Sequence, residues 1–211
     1  TMNKHENIIN VNRKAYNQLA QEFNSRDERL ESYEKELYTY ISNYVKNGDD
    51  VLEIGSGTGR LLQILERLGC RTTAVELSEE MCKFSKKNSP NTILINQDIL
   101  SVNFFDKQFD VICGLALIHT MTFQDATVLL KKVGTWLKEN GTFIFDTIEY
   151  RESKEFFMKT WVHNDIVKFR KQYTKHELEE LIYSSGFKIS NISLLKEENN
   201  NKVWIRFACK R

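Results

Sequence analysis

The sequence predicts an α/β fold: a mostly parallel sheet with helices on both faces, closed by an antiparallel hairpin at the carboxyl end. Three observations carry this. Short apolar runs alternate with stretches of helical period from Asp50 onward; one of those runs passes directly into a loop with glycine at 55, 57 and 59; and two strand-like segments flank a polar tip near the end of the chain.

Ahead of Asp50, Ile8, Val11, Ala15, Leu19 and Phe23 recur at three- and four-residue steps. Leu30, Tyr33, Leu37, Tyr40, Ile41 and Tyr44 continue the pattern after a polar break, which predicts two amphipathic helices. The predicted strands are Val51 to Ile54, Thr72 to Leu77, Thr92 to Asn96, Phe109 to Ala116 and Thr142 to Thr147, with helical periods between most of them. Gly69 stops the helix that carries Leu61, Leu62, Leu65 and Leu68. Thr174 and Glu177 form a T-x-x-E capping box that opens a helix ending near Gly186. Phe187 to Leu195 and Val203 to Cys209, around the tip Glu198-Asn199-Asn200-Asn201, supply the hairpin and bring the predicted sheet to seven strands.

A chain of 211 residues, 41% hydrophobic and 28% charged, suits one domain with a sizeable core. Thirty Lys and Arg against 29 Asp and Glu leave a net charge of +1, so no overall field gathers nucleic acid or anionic membrane. No apolar run approaches the ~20 residues of a membrane span, and Met2-Asn3-Lys4-His5 lacks the apolar stretch of a signal peptide. The expected location is the cytoplasm. Thr1, ahead of Met2, reads as an expression leftover. Cys70, Cys82, Cys113 and Cys209 show no C-x-x-C spacing and lie mostly in apolar segments, which predicts buried free thiols and no metal site.

The sharpest signal is Val51-Leu52-Glu53-Ile54-Gly55-Ser56-Gly57-Thr58-Gly59-Arg60-Leu61-Leu62. Glycines at 55, 57 and 59 permit positive φ and remove Cβ atoms, so a nucleotide-like ligand can lie against bare backbone at a helix N-terminus. A plain strand-to-helix turn needs fewer glycines. A dinucleotide site wants G-x-G-x-x-G, and here Arg60 stands where its last glycine belongs; a Walker loop would need Gly-Lys-Ser/Thr.

Glu53-Ile54-Gly55-Ser56-Gly57-Thr58-Gly59 resembles the E/D-x-G-x-G-x-G signature of class I S-adenosylmethionine-dependent methyltransferases, and the similarity runs in order from about Asp50 to Thr147. The resemblance implies a Rossmann-like fold. It also implies a loop, with Ser56 in it, that holds the methionine part of the cofactor, and a Glu53 that orients the loop or the cofactor's amino group. Glu76 closes the second strand about 20 residues on, where a carboxylate can accept from a ribose diol. Leu77 follows as an apolar contact for adenine, and Ser78-Glu79-Glu80 reads as a helix cap with first-turn acids. Asp98 in Asn96-Gln97-Asp98-Ile99 matches the position that accepts from the adenine amino group, with Ile99 packing on the ring; a turn Asp is the competing assignment. Met81 and Leu115 complete the expected cofactor contacts. Leu137-Lys138-Glu139-Asn140-Gly141 resembles the family's L-K-x-G-G corner, with Asn140 replacing a glycine at a site where Asn tolerates left-handed backbone. Tyr173 to Phe187 is similar to the Y-T-x-E-E-L…A-G-F segment of the small-molecule branch.

Methyl transfer from a sulfonium is an in-line displacement in which the protein chiefly aligns the partners, with a base needed only when the acceptor must lose a proton. His119, just beyond the fourth strand, is the first candidate for base or substrate hydrogen bonding, although a lone His there also serves as a packing residue. Tyr16 matches the family's Y-x-x-x-A-x-x-Y/F segment over the cofactor and is equally readable as a core aromatic. Trp161-Val162-His163-Asn164-Asp165 either lines the acceptor pocket or belongs to an edge hairpin in which Val167 and Phe169 alternate with Lys168 and Arg170.

These readings divide the chain into an N-terminal helical lid (1–48), a cofactor-binding core (49–147) and a substrate-side insertion with the closing hairpin (148–211). Pro90 is the only proline, so the Asn/Asp-Pro-Pro-aromatic motif of DNA and many RNA amino methyltransferases is absent. The expected activity is methylation of a nitrogen or oxygen on a small-molecule metabolite, with S-adenosylmethionine as donor and S-adenosylhomocysteine as product. Nucleic acid, membrane and metal are not expected. The alternatives are a silent methyltransferase-like binding module, an NAD-dependent oxidoreductase, and transfer of another group of the cofactor.

Overall fold

The computed structural model describes residues 3–27, 31–160, 163, 165–196 and 202–211. Two helices lead, α1 (Lys4–Asp27) and α2 (Glu31–Ile41), where the leading apolar periods predict them. The alternating part follows as β1 (Asp50–Ile54), α3 (Arg60–Arg67), β2 (Arg71–Glu76), α4 (Glu79–Asn88), β3 (Ile93–Asn96), β4 (Phe109–Gly114), α5 (Phe123–Trp136) and β5 (Leu137–Ile148). The chain closes with β6 (Lys154–Lys159), β7 (Val167–Gln172), α6 (Lys175–Ser184), β8 (Lys188–Lys196) and β9 (Val203–Lys210).

Seven strands form one sheet in the order β3-β2-β1-β4-β5-β9-β8. β1 to β5 are parallel, and β9 runs antiparallel between β5 and β8. The winding direction reverses between β1 and β4, which opens a crevice at the carboxyl ends of those strands. Strand periodicity sorts the core into two layers. Leu52, Ile54, Ile112, Phe143 and Phe145 pack against Leu129, Leu130 and Val133 of α5 and Leu178, Leu181 and Ile182 of α6. Val51, Val111, Cys113, Ile144 and Ala208 face Leu37 and Ile41 of α2 and Leu61, Leu62 and Leu65 of α3. At roughly 1.5–3 kcal/mol per fully buried aliphatic or aromatic side chain, these layers fix the sheet that carries the site.

The predicted punctuation is in place. Gly69 has φ +78 directly after the Leu68 cap of α3. Thr174 and Glu177 make both bonds of the capping box on α6. Asn140 adopts φ 63. β5 nonetheless begins earlier than predicted: Phe109 pairs with Leu137 and Val111 with Thr142, so the Lys138 to Gly141 corner is a bulge inside a long strand. β4 is shorter, because Ala116 turns to φ 51.

The hairpin reading of the insertion needs correction. β6 and β7 pair antiparallel as a separate two-stranded sheet and not as an edge of the main one. The expected alternation also fails, since Val167 is 39% exposed while Lys168 is 6% exposed. Trp161, Val162 and Asn164, the tip 198–201 and Leu30 lie outside the described residues. All four cysteines are free, Cys113 and Cys209 buried and Cys70 and Cys82 partly so. Burial raises every thiol pKa, to about 11 at Cys70 and about 12 at Cys82 and Cys209. They therefore stay protonated near neutrality.

Candidate active site

The parallel strands bring the ends of β1, β2, β3 and β4 to one edge, so Glu53, Glu76, Asp98 and Leu115 arrive there from four segments of the chain. The loop after β1 carries Gly55, Gly57 and Gly59 at φ +71, +53 and +89. At Gly59 a Cβ would stand 3.0 Å from the Ser85 Cα, so the loop lies directly against the backbone of α4. Glu76 binds the loop from below: Oε2 accepts from the Gly57 amide at 2.8 Å and Oε1 from the Ser78 amide at 2.8 Å. Burial raises the Glu76 pKa, and amides of Ser78, Gly57 and Leu77 oppose that rise by stabilising the charge. Ser78 in turn caps α4, accepting from Met81 N at 3.1 Å.

Glu53 is buried, and its pKa is raised well above the ordinary value, first by burial and then by the Glu76 charge. Its Oε2 and the Ser56 Oγ are buried without a hydrogen-bond partner among the described residues. A carboxylate and a hydroxyl left orphaned beside a glycine loop are what a polar ligand completes. Met81 and Ile99 are buried close to this edge, while Leu77 and Leu115 are half-buried. Asp98 is already engaged: Oδ1 accepts from Leu100 N at 3.1 Å, capping a short 3-10 turn, and Oδ2 meets His5 Nε2 at 2.9 Å.

α1 spans the carboxyl edge through polar contacts at four levels. His5 meets Asp98 and stands 3.2 Å from an Asp125 carboxylate oxygen. Asn12 accepts from Phe169 N at 2.9 Å and donates to Thr120 O at 2.8 Å, joining β7 to the turn after β4. Asn17 accepts from Ser78 Oγ at 2.6 Å, and Asn88 donates to Asn24 at 3.3 Å. Twenty-four residues at 1.5 Å each make this a strap of roughly 36 Å.

His119 is buried in a 3-10 turn after β4, with Nδ1 2.8 Å from Thr147 Oγ1 and Trp204 beside its ring. Burial, followed by the charges of Arg170 and Lys168, lowers its pKa well below the usual value, so the ring is neutral. Tyr16 is half-buried on α1, with Lys168 Nζ 5.7 Å from its ring centroid and its phenol pKa pushed up by burial. Sequence reading missed His5, Asn12 and Asn17. Their only local signal is polar residues on the inner side of an amphipathic helix. Lys168, read from the sequence only as a member of an alternating edge hairpin, is buried.

A crevice at a topological switch point, a glycine loop with three positive φ angles and a carboxylate gripping that loop are the arrangement implied by the resemblance to class I S-adenosylmethionine-dependent methyltransferases. Residues 52–145 match the family described as methyltransferase domain. YqeM of Bacillus subtilis, named as a methyltransferase, is 34% identical over 101 residues, 46% of this chain and 41% of that protein. An uncharacterized methyltransferase of Geobacillus sp. strain WCH70 is 24% identical over 205 residues, 89% of this chain and 93% of that one. Among solved structures, the 1,6-didemethyltoxoflavin-N1-methyltransferase of Burkholderia thailandensis, bound to 1,6-didemethyltoxoflavin and S-adenosylhomocysteine, superposes with TM-score 0.71 at 17% identity, covering 92% of this chain and 87% of that chain. Among the described residues no helix is long and apolar enough to cross a membrane, and no cluster of His, Cys, Asp and Glu could hold a metal.

Proposed function

We propose that the protein methylates a nitrogen or oxygen of a small-molecule metabolite. The observation that carries this is a neutral His119 in the turn after β4, at the edge that also holds the glycine loop, beneath α1, which brings the Tyr16 phenol across that edge. S-adenosylmethionine supplies an activated methyl group on a sulfonium, and the leaving thioether needs no acid. Glu53 and Ser56 offer the polar groups for the amino-acid end, Gly55, Gly57 and Gly59 the bare backbone, and Glu76 the acceptor for the sugar. Leu77, Met81, Ile99 and Leu115 enclose the flat, apolar parts. Asp98, with one oxygen on Leu100 N and the other on His5, has lone pairs left for an adenine amino group.

With Nδ1–H donating to Thr147, His119 Nε2 becomes the acceptor that takes a proton or a hydrogen bond from the methyl acceptor. Residues 1–48 serve as the lid and residues 148–211 as the acceptor side, which suits an enclosed site for a small molecule better than an open face for a macromolecule. The B. thailandensis neighbour acts on a small molecule, which agrees with this reading. The test is release of S-adenosylhomocysteine when the protein and S-adenosylmethionine are mixed with fractionated metabolites, RNA or protein. Turnover with a metabolite fraction and a product heavier by one methylene is expected. Turnover confined to the RNA or protein fraction would overturn the reading.

A further inference from the structure

β7 carries two buried lysines with opposite circumstances. Lys171 Nζ has Glu177 Oε1 at 2.9 Å and Ser153 Oγ at 2.5 Å, an ordinary paired arrangement. Lys168 is as deeply buried but has neither hydrogen bond nor ion pair among the described residues, only the face of Tyr16. Arg170, two residues on and therefore on the same side of the strand, also lacks a carboxylate partner among the described residues. Both stand close enough to His119 for their charges to act on it, and Arg26 and Lys202 add like charge around Lys168. The position is not an accident of a loose strand, because the Phe169 amide between the two cations is held by Asn12 of the strap.

Holding an unpaired ammonium on a side chain only 6% exposed is expensive, and gathering further cations around it makes it more so. Burial and those cations lower the Lys168 pKa to about 8. A group in that state gains most from an anion brought to it, and guanidinium and ammonium together suit an oxygen anion. We propose that the methyl acceptor carries an oxyanion, a carboxylate or a phosphate-type group, which Lys168 and Arg170 receive beside His119 and Tyr16. This rests on the reading of the protein as a small-molecule methyltransferase. It narrows the substrate to acids and gives β7, the strand whose alternation fails, its role.

The test has two stages. S-adenosylhomocysteine is titrated first into wild type, Lys168→Met, Lys168→Arg and Arg170→Met; absence of binding to wild type would remove the methyltransferase reading and this inference with it. Inorganic phosphate and malonate are then titrated into each saturated protein. The expected result is binding of one of them to wild type and Lys168→Arg, weakened about tenfold or more in Lys168→Met and Arg170→Met, with S-adenosylhomocysteine affinity changed less than about twofold. Whichever probe binds decides between the phosphate and carboxylate forms. Failure of both anions on wild type, or equal binding to Lys168→Met, would overturn the proposal. As a second measurement, the acceptor activity of a metabolite extract should be retained by an anion exchanger; activity only in the flow-through would equally overturn it.

Discussion

Glu76 Oε2 accepts a 2.8 Å hydrogen bond from the Gly57 amide, so the carboxylate at the end of β2 holds the glycine loop. Glu76→Gln keeps the shape but replaces one accepting oxygen by a donor that meets an N–H. Hydrogen bonds to a charged group contribute about 1.5–3 kcal/mol. S-adenosylhomocysteine affinity should therefore fall roughly tenfold to hundredfold in calorimetry, with the far-ultraviolet spectrum unchanged. Wild-type affinity would show that the carboxylate does not organise the site.

Gly57 tests the loop from the other side. Its φ is +53, and the nearest atom to an added Cβ is the flexible Met81 sulfur at 3.8 Å. Space is available, but a β-branched residue is strained at that angle, at a cost of order 1–3 kcal/mol. Gly57→Val should fold with a modestly lowered melting temperature and lose cofactor binding. Retained binding would show that the backbone approach is not needed.

The parts of this site written in short-range signals were legible in the sequence. Gly55 to Gly59 after an apolar strand, Ser78 at the head of α4 and Thr174 with Glu177 each rest on neighbours a few residues apart, and all three appear as expected. What stayed hidden depends on chain segments far apart. His5 meets Asp98 across 93 residues, and nothing local distinguishes it from any polar residue near a helix start. Lys168 alternates with Val167 and Phe169 in the sequence, and no local signal shows that its side of the strand is covered; α1 and the turn around His119 cover it. The partner strand β6, Lys-Glu-Phe-Phe-Met-Lys, has no clear period of its own, so the hairpin was recognisable from one side only.

The two inner histidines should tilt stability in opposite directions with pH. His119 has a depressed pKa in the fold, so the unfolded chain binds the extra proton first, and its contribution is full above about 6.5 and is lost as pH falls from there through the lower folded value. His5 is shifted the other way: burial opposes charging, but the hydrogen bond to Asp98 and the nearby Asp125 carboxylate prevail and raise its pKa. Its contribution is full below about 6.5 and disappears as pH rises through the folded value. In chemical denaturation, His5→Gln should cost stability at pH 6 and almost none at pH 9. An equal loss at both would mean that the imidazolium does not latch the strap.

For turnover, His119→Ala should slow the reaction roughly hundredfold while leaving S-adenosylhomocysteine affinity within about twofold, the range expected when a positioned acid or base is removed. Because its pKa is depressed, His119 should place no inflection near 6.5 in the wild-type kcat/KM profile. Thr147→Val, which frees Nδ1 from its 2.8 Å partner, should lower kcat with little effect on cofactor binding. Unchanged turnover in His119→Ala would leave the ring as packing alone.

Arg206 is fully buried on β9, with Nε 3.1 Å from Asp146 on β5 and Nη1 3.0 Å from Glu36 on α2, its guanidinium lying over the Tyr40 ring. The other Asp146 oxygen accepts from the amide of Ala116, the residue at φ 51 that turns the chain out of β4 beside Leu115. One buried pair therefore ties the antiparallel closure of the sheet to the cofactor edge. Arg206→Met should destabilise the protein by about 3–5 kcal/mol, because it strands a buried carboxylate. Adding Asp146→Leu removes that stranded charge and should recover part of the loss. It cannot restore the acceptor for the Ala116 amide, so S-adenosylhomocysteine should still bind more weakly than to wild type. Recovery of stability and affinity together would show that the pair only holds the sheet closed, and that the turn after β4 is set without it.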